Sequence, residues 1–169
     1  MNYKPQKKVL WYLHPYAGGP GIGQAFRPYY FCREFALKNI TPVIVSSSWH
    51  HLMYNKSTHQ ENQEIDAINY FFLKNKSYSS NGIGRILNMF SYSIKLLTNK
   101  KIKVKYPPDI IIVSSPHLFT FLSAYIISKR YKSKLILEVR DLWPLSLVDI
   151  AGVSKSHPIV TILSMIEKF

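Results

Sequence analysis

The chain is poor in cysteine and in negative charge. Cys32 is the single cysteine in 169 residues. An internal disulfide is therefore excluded, and so is a cysteine-built metal cluster. One lone thiol fits a reducing compartment. Long hydrophobic runs are missing too. The apolar run from Val9 to Leu13 is too short for a signal-peptide core or a membrane span. No other segment approaches the ~18 apolar residues that a spanning helix needs. A cytoplasmic location is expected. Asp and Glu number nine against 22 Lys and Arg, for a net charge of +13. Such an excess points to an anionic partner: nucleic acid, membrane headgroups or a phosphorylated ligand. Compositional drift is the alternative, because Lys, Asn, Ile, Ser and Tyr are all abundant. No helix-turn-helix, zinc-finger or RRM signature accompanies the charge, so nucleic acid is not the expected partner.

What is present is an alternation of short apolar runs and helical patterns. The hydrophobic fraction of 47% is enough to build one core, and the length fits a single domain over residues 1–169. Strands are expected in "KKVLWYLH" (7–14), "TPVIVSSS" (41–48), "AINYFFLKN" (67–75), "PPDIIIVSSP" (107–116) and "SKLILEVRD" (133–141). Helices are expected over 29–39, 82–106, 117–132 and 156–169. The second of these places Ile83, Leu87, Phe90, Ile94 and Leu97 at three- and four-residue steps. The last opens at Ser156 with Pro158 in its first turn, and it runs to Phe169 without a stop signal. That open end is expected of a piece of a longer protein. Residues 49–66 read as an irregular polar segment, and 15–28 as a Gly/Pro loop. Strands that alternate with helices and lack in/out alternation predict an α/β fold. The expected form is a Rossmann-like, doubly wound parallel sheet covered on both faces.

In such a sheet, ligands bind at the carboxyl ends of the strands. Chemistry-bearing side chains collect there. "LILEVRDLWPLSL" (135–147) ends an apolar strand in Arg140, Asp141 and Trp143. His14 follows the first strand, Trp49, His50 and His51 follow the second, and Ser114, Ser115, Pro116 and His117 follow the fourth. Each has an ordinary explanation alone: a cap, a rim ion pair between Arg140 and Asp141, a packing plug, a solvated histidine. Their gathering on one edge is what marks the edge as a site. The loop "AGGPGIG" spaces its glycines as Gly19-x-Gly21-x-Gly23. That is neither the dinucleotide fingerprint nor a P-loop. A glycine loop before a helix still lets backbone amides approach an anion, and Arg27 and Tyr29 follow just downstream.

Four blocks carry a family likeness: "AGGPGIGQAFRPYYFCREFALKN", "SSSWHHL", "GIGRILNMFSY" and "EVRDLWPLSLVDIAGVSKSHP". From about Val9 to the end, the chain resembles the N-terminal domain of family 4 retaining glycosyltransferases. The likeness is to the branch that builds capsular and lipopolysaccharide O-antigen chains. The resemblance implies one half of a GT-B architecture, the half that binds the acceptor. The second half would bind the nucleotide-sugar and carry a spaced glutamate pair. No matching pair occurs within these 169 residues. The isolated chain is therefore expected to be inactive as a hexosyl- or N-acetylhexosaminyl-transferase.

The resemblance also implies roles for individual residues. Gly18, Gly19, Gly21 and Gly23 would form the glycine-rich first loop near the donor phosphate or the reacting sugar. Arg27 and Tyr29 belong to the "FRPYY" block, and His51 to the histidine after the second strand. Arg140 stands where many relatives have histidine; it keeps a donor and a charge but does not titrate near neutrality. Asp141 would hold acceptor hydroxyls, Trp143 would pack on a sugar face, and His117 would face the acceptor. Catalysis in this class is electrostatic and needs no metal or cofactor, and no Asp-x-Asp motif is present. The implied partners are a nucleotide-sugar and a lipid-linked glycan acceptor. In that setting the basic helix over 83–97 and the "NKKIKVKY" after it suit peripheral contact with an anionic membrane, on the inner face of the plasma membrane. The readings left beside this one are a basic nucleic-acid-binding module and a stand-alone nucleotide-binding Rossmann-like protein.

Overall fold

A computed structural model describes residues 7–55, 59–75, 77, 83–114, 119–140, 142, 144–149 and 152–167. The apolar runs become a six-stranded sheet. Its strands are β1 (Val9–Leu13), β2 (Thr41–Ser47), β3 (Asn62–Ile65), β4 (Ile68–Leu73), β5 (Ile110–Ser114) and β6 (Lys134–Glu138). They lie in the order β3-β4-β2-β1-β5-β6. All neighbours are parallel except β3, which pairs antiparallel with β4. Six helices complete the chain: α1 (Arg27–Leu37), α2 (Ile83–Thr98), α3 (Lys100–Lys105), α4 (Phe119–Tyr131), α5 (Leu145–Asp149) and α6 (Pro158–Glu167). The fold is Rossmann-like, as expected.

The two-residue period of the strands divides the core. Trp11, Leu13, Val43, Val45, Ile111 and Val113 face one way, where Tyr92 and Leu96 of α2, Ile102 of α3 and Ile127 of α4 cover them. Leu10, Tyr12, Ile44, Tyr70, Phe72 and Ile112 face the other way, under Tyr29 and Cys32 of α1. Trp11 has no exposed surface, and its indole N–H donates to the Tyr106 carbonyl at 2.8 Å. Tyr92, equally enclosed, donates its hydroxyl to the Val45 carbonyl at 2.7 Å. Burial pushes that phenol's pKa up, well beyond the ordinary tyrosine range. Tyr92→Phe is expected to cost about 1 kcal/mol, the net value of one buried hydrogen bond. Urea denaturation would measure it, and an unchanged midpoint would show that this bond contributes nothing.

Three expectations are corrected. The polar segment 49–66 contains a strand, β3. It is half-exposed at the sheet edge, and the turn to β4 places Asp66 and Ala67 at φ 50 and 62°, the left-handed pair of a tight hairpin. The helix read as continuous over 82–106 breaks at Asn99, whose side chain accepts from the Ile102 N–H at 3.2 Å and starts α3. The sheet is not covered on both faces throughout, because Ile136 and Leu137 of edge strand β6 remain exposed. One further helix, α5, was not foreseen. Asn39, at φ 60°, closes α1 in the left-handed conformation that ends helices.

Candidate functional site

Strand order fixes where a site belongs. β1 is central, with β2 on one side and β5 on the other. The chain winds outward in both directions from this pair, so a crevice opens at the carboxyl ends of β1 and β5. His14 leaves β1 at that point, and its N–H donates to the Val45 carbonyl at 3.2 Å. Ser114 ends β5 in register with Glu138 of β6. Two residues beyond Glu138, Arg140 reaches back across the rim, and its Nη1 lies 2.8 Å from His14 Nε2.

His14 is almost wholly buried. Burial first, and then the Arg140 charge, push its pKa down to about 3. The ring is neutral at any physiological pH and holds no second proton to give. A guanidinium has no acceptor, so Arg140 Nη1–H donates to His14 Nε2, which puts the proton of the neutral ring on Nδ1. The buried ring thereby holds a permanent cation at the rim. The pair is suited to holding an oxygen, not to moving a proton.

A second knot lies beside it. Glu138 accepts from the Tyr12 hydroxyl at 2.5 Å and from Arg27 Nε at 2.6 Å. Burial raises the Glu138 pKa, but the Tyr12 and Arg27 hydrogen bonds more than offset it, and the carboxyl ends below its usual range. The Arg27 guanidinium also lies over the Phe31 ring, 5.1 Å from its centroid. Glu138 and Tyr12 went unnoticed in the sequence. An acid inside the apolar run "LILEV" was the available signal.

The glycine loop is held from below. Ser46 Oγ donates to the Pro15 and Ala17 carbonyls, both at 3.2 Å, and the Tyr70 hydroxyl donates to the Gly18 carbonyl at 2.9 Å. His50, for which a solvated ring is the ordinary explanation, is buried, and its Nε2 lies 3.2 Å from the Ala17 carbonyl. Burial pushes its pKa down to about 4. Loop amides are spent internally: Gly18 N–H donates to Ala25, Gly19 N–H to Gly23, Gly23 N–H to Gly19 and Gln24 N–H to Leu52. Gly21 sits exposed at the tip with φ 72°.

Of the residues singled out in the sequence, the structure brings Arg140 to His14 and links Arg27 to the same rim through Glu138. His51 is exposed, with its ring edge-on to Tyr16 at 5.2 Å, and Tyr16 in turn lies 6.2 Å from the His14 ring. Tyr29 turns away. It is buried, and its hydroxyl donates to Asp66 at 2.5 Å, in the turn that precedes β4. His117, Asp141 and Trp143 lie outside the described residues. Compared with known proteins, the chain matches no family model and no curated sequence.

Proposed function

We propose that this chain is the acceptor-side part of a retaining sugar transferase of surface-polysaccharide synthesis. It would move a sugar from a nucleotide-sugar to a polyprenyl-linked glycan, together with a second, donor-binding domain. The observation that carries the reading is the His14–Arg140 pair at the crevice between β1 and β5. A permanent cation held at the rim by a neutral imidazole suits a diphosphate oxygen. Arg27 and Glu138 form a paired donor and acceptor beside them, the chemistry that sugar hydroxyls need. Within this reading the rim binds and orients, and electrostatic stabilisation of the departing diphosphate is the catalytic effect. Arg140 supplies the positive charge, His14 positions it, Arg27 and Glu138 grip hydroxyls, and His51 borders the opening. Asp141, Trp143 and His117 belong to the same proposal by resemblance alone.

Titration calorimetry with a short-chain polyprenyl-diphosphate-linked N-acetylhexosamine tests it. Binding to the chain is expected, and Arg140→Ala is expected to weaken it about 10- to 100-fold, the worth of a charge-assisted hydrogen bond. His14→Ala should weaken it less. No heat with this ligand, or equal affinity in Arg140→Ala, would remove the basis of the proposal. Saturable, salt-sensitive binding of mixed-sequence RNA to the same rim would replace it with the nucleic-acid reading.

A further inference from the structure

The sheet has two edges, and their sequences differ in kind. β3 closes one side with "NQEI", polar at three of its four positions. β6 closes the other with "KLILE", and among the described residues no strand pairs with its outer side. Open edges of folded proteins are normally blunted by a proline, a bulge or a charge in mid-strand. β6 has none of these. Its register with β5 runs unbroken over five pairs, and its charges stand at the two ends, Lys134 and Glu138. Both of its faces stay open. Ile136, on the α1 side, is 39% exposed, and Leu137, on the α4 side, is 42% exposed. Val139 just beyond is 59% exposed. An unblunted apolar edge is a template for one more strand.

The backbone dictates what that strand must be. Lys134 N–H donates to the Asp109 carbonyl at 2.9 Å, so Lys134, Ile136 and Glu138 turn their backbone groups toward β5. Strand alternation then points the N–H and C=O of Leu135 and Leu137 outward. A second copy of β6 satisfies these groups when it runs antiparallel about Ile136. Leu135 of each copy then faces Leu137 of the other as a hydrogen-bonded pair. Ile136 faces its own equivalent on the two-fold axis, in the closer, non-hydrogen-bonded type of pair. Lys134 faces Glu138, so opposite charges meet. Glu138 is already held by Tyr12 and Arg27, and the lysine adds attraction without displacing either. Apolar meets apolar and charge meets opposite charge at all five positions of the strand. No neighbouring axis does this: about Leu135, Lys134 would face Ile136, and about Leu137 it would face Arg140.

We infer that β6 is a self-association edge, where two copies of this chain join through antiparallel β6–β6 pairing centred on Ile136 into one continuous sheet of twice six strands. Such a contact uses the same patch on both copies and closes on itself, so it stops at the dimer. One strand pair with a few exposed side chains is a small interface, which suits a concentration-dependent dimer and not an obligate one. The two sheets run in opposite directions across the axis, so the two His14–Arg140 rims open at opposite ends. The inference stands whether or not the chain handles sugars.

Sedimentation velocity and self-crosslinking test it. The chain is expected to move from 19.6 kDa toward twice that mass as concentration rises. Each copy carries a net charge of +13, so added salt should strengthen the dimer by screening the repulsion. Ile136→Lys sets two like charges against each other on the axis and should weaken the dimer about 100-fold or more. Ile136→Cys should form a disulfide-linked dimer under mild oxidation with glutathione disulfide. The Cα atoms of such a facing pair lie about 4.5 Å apart, within disulfide reach. Lys134→Cys should not crosslink, since its equivalent lies four residues, roughly 13 Å, along the strand. Cys32 is buried and gives no background. Circular dichroism checks that each variant keeps the fold, and should Ile136→Lys fail to fold, the crosslink decides. A monomer at every concentration and salt, a dimer untouched by Ile136→Lys, or Lys134→Cys crosslinking as readily as Ile136→Cys would overturn the inference. Growth past the dimer into a polymer would also overturn it, because that requires an open-ended contact between unlike surfaces.

Discussion

Taking the chain from pH 7 to pH 4 is expected to remove roughly 6 kcal/mol of folding free energy, enough to unfold a typical domain. Two buried histidines cause it. In the unfolded chain each protonates near its ordinary value of about 6.5. In the folded chain His14 stays neutral down to about 3 and His50 down to about 4, chiefly because burial penalises the imidazolium. Between those values the unfolded state binds more protons, so stability rises with pH. The contribution is complete above the unfolded value and drains away as pH falls toward the folded ones. The slope is about 1.4 kcal/mol per pH unit for each histidine. Glu138 acts in the same direction but lower: its depressed folded value stabilises the chain above the unfolded carboxyl range, and that support is lost as pH falls through its own folded value. Urea midpoints at unit steps from pH 7 to pH 4 would resolve the two windows. The double variant His14→Gln, His50→Gln should flatten the curve between pH 6.5 and 4 while keeping the loss below it. If the double variant falls as steeply as the parent, burial of these rings is not the source of acid sensitivity.

These two rings also mark where reading along the chain stops short. The strands β1, β2, β4 and β5 were legible as apolar runs because parallel strands buried on both faces leave no room for polar positions. β3 was not, since "NQEI" at a half-exposed edge carries no such run. The break at Asn99 was hidden because apolar spacing continues across it to Ile102, and only the capping geometry reveals the stop. Arg140 was conspicuous as a charge at the mouth of a strand. Its partner His14 stands 126 residues earlier, and Glu138 meets Arg27 across 111. Contacts of that range are made by sheet order, which local pattern does not encode. Tyr29 shows the reverse error of locality: six residues past Gly23 of the glycine loop, it is turned by α1 toward Asp66. The same gap separates the two histidines of the second loop. His50 and His51 look alike in sequence, yet one is sealed under Ala17 and the other is exposed.

Gly18→Ala and Gly23→Ala are each expected to cost about 3 kcal/mol or more and to dismantle the first loop, whereas Gly21→Ala should cost only about 1–2 kcal/mol. The contrast follows from what a methyl group would meet. At Gly18 an added Cβ lies 2.3 Å from the Gly23 carbonyl oxygen and 2.7 Å from the Ala25 nitrogen. At Gly23 it lies 2.5 Å from the Leu52 carbonyl oxygen. Every one of these neighbours is backbone, locked by the hydrogen bonds Gly18 to Ala25, Gly19 to Gly23 and Gln24 to Leu52. Backbone cannot rotate away as a long side chain can, so the miniature hairpin and its seat on residues 52–53 must separate. At Gly21 nothing stands within 4 Å, and only the left-handed φ of 72° resists alanine. The order of effects also separates two roles for the glycines. If they serve packing, thermal stability follows the order Gly18 and Gly23 far worse than Gly21, and affinity for a diphosphate-linked sugar falls in the same order because the loop walls the rim. If their purpose is an open amide at the tip for an anion, Gly21→Ala should lower the melting temperature by only a few degrees and still remove binding. Calorimetric melting and titration on the same three variants distinguish these cases, and the internal use of the Gly18, Gly19, Gly23 and Gln24 amides favours the first.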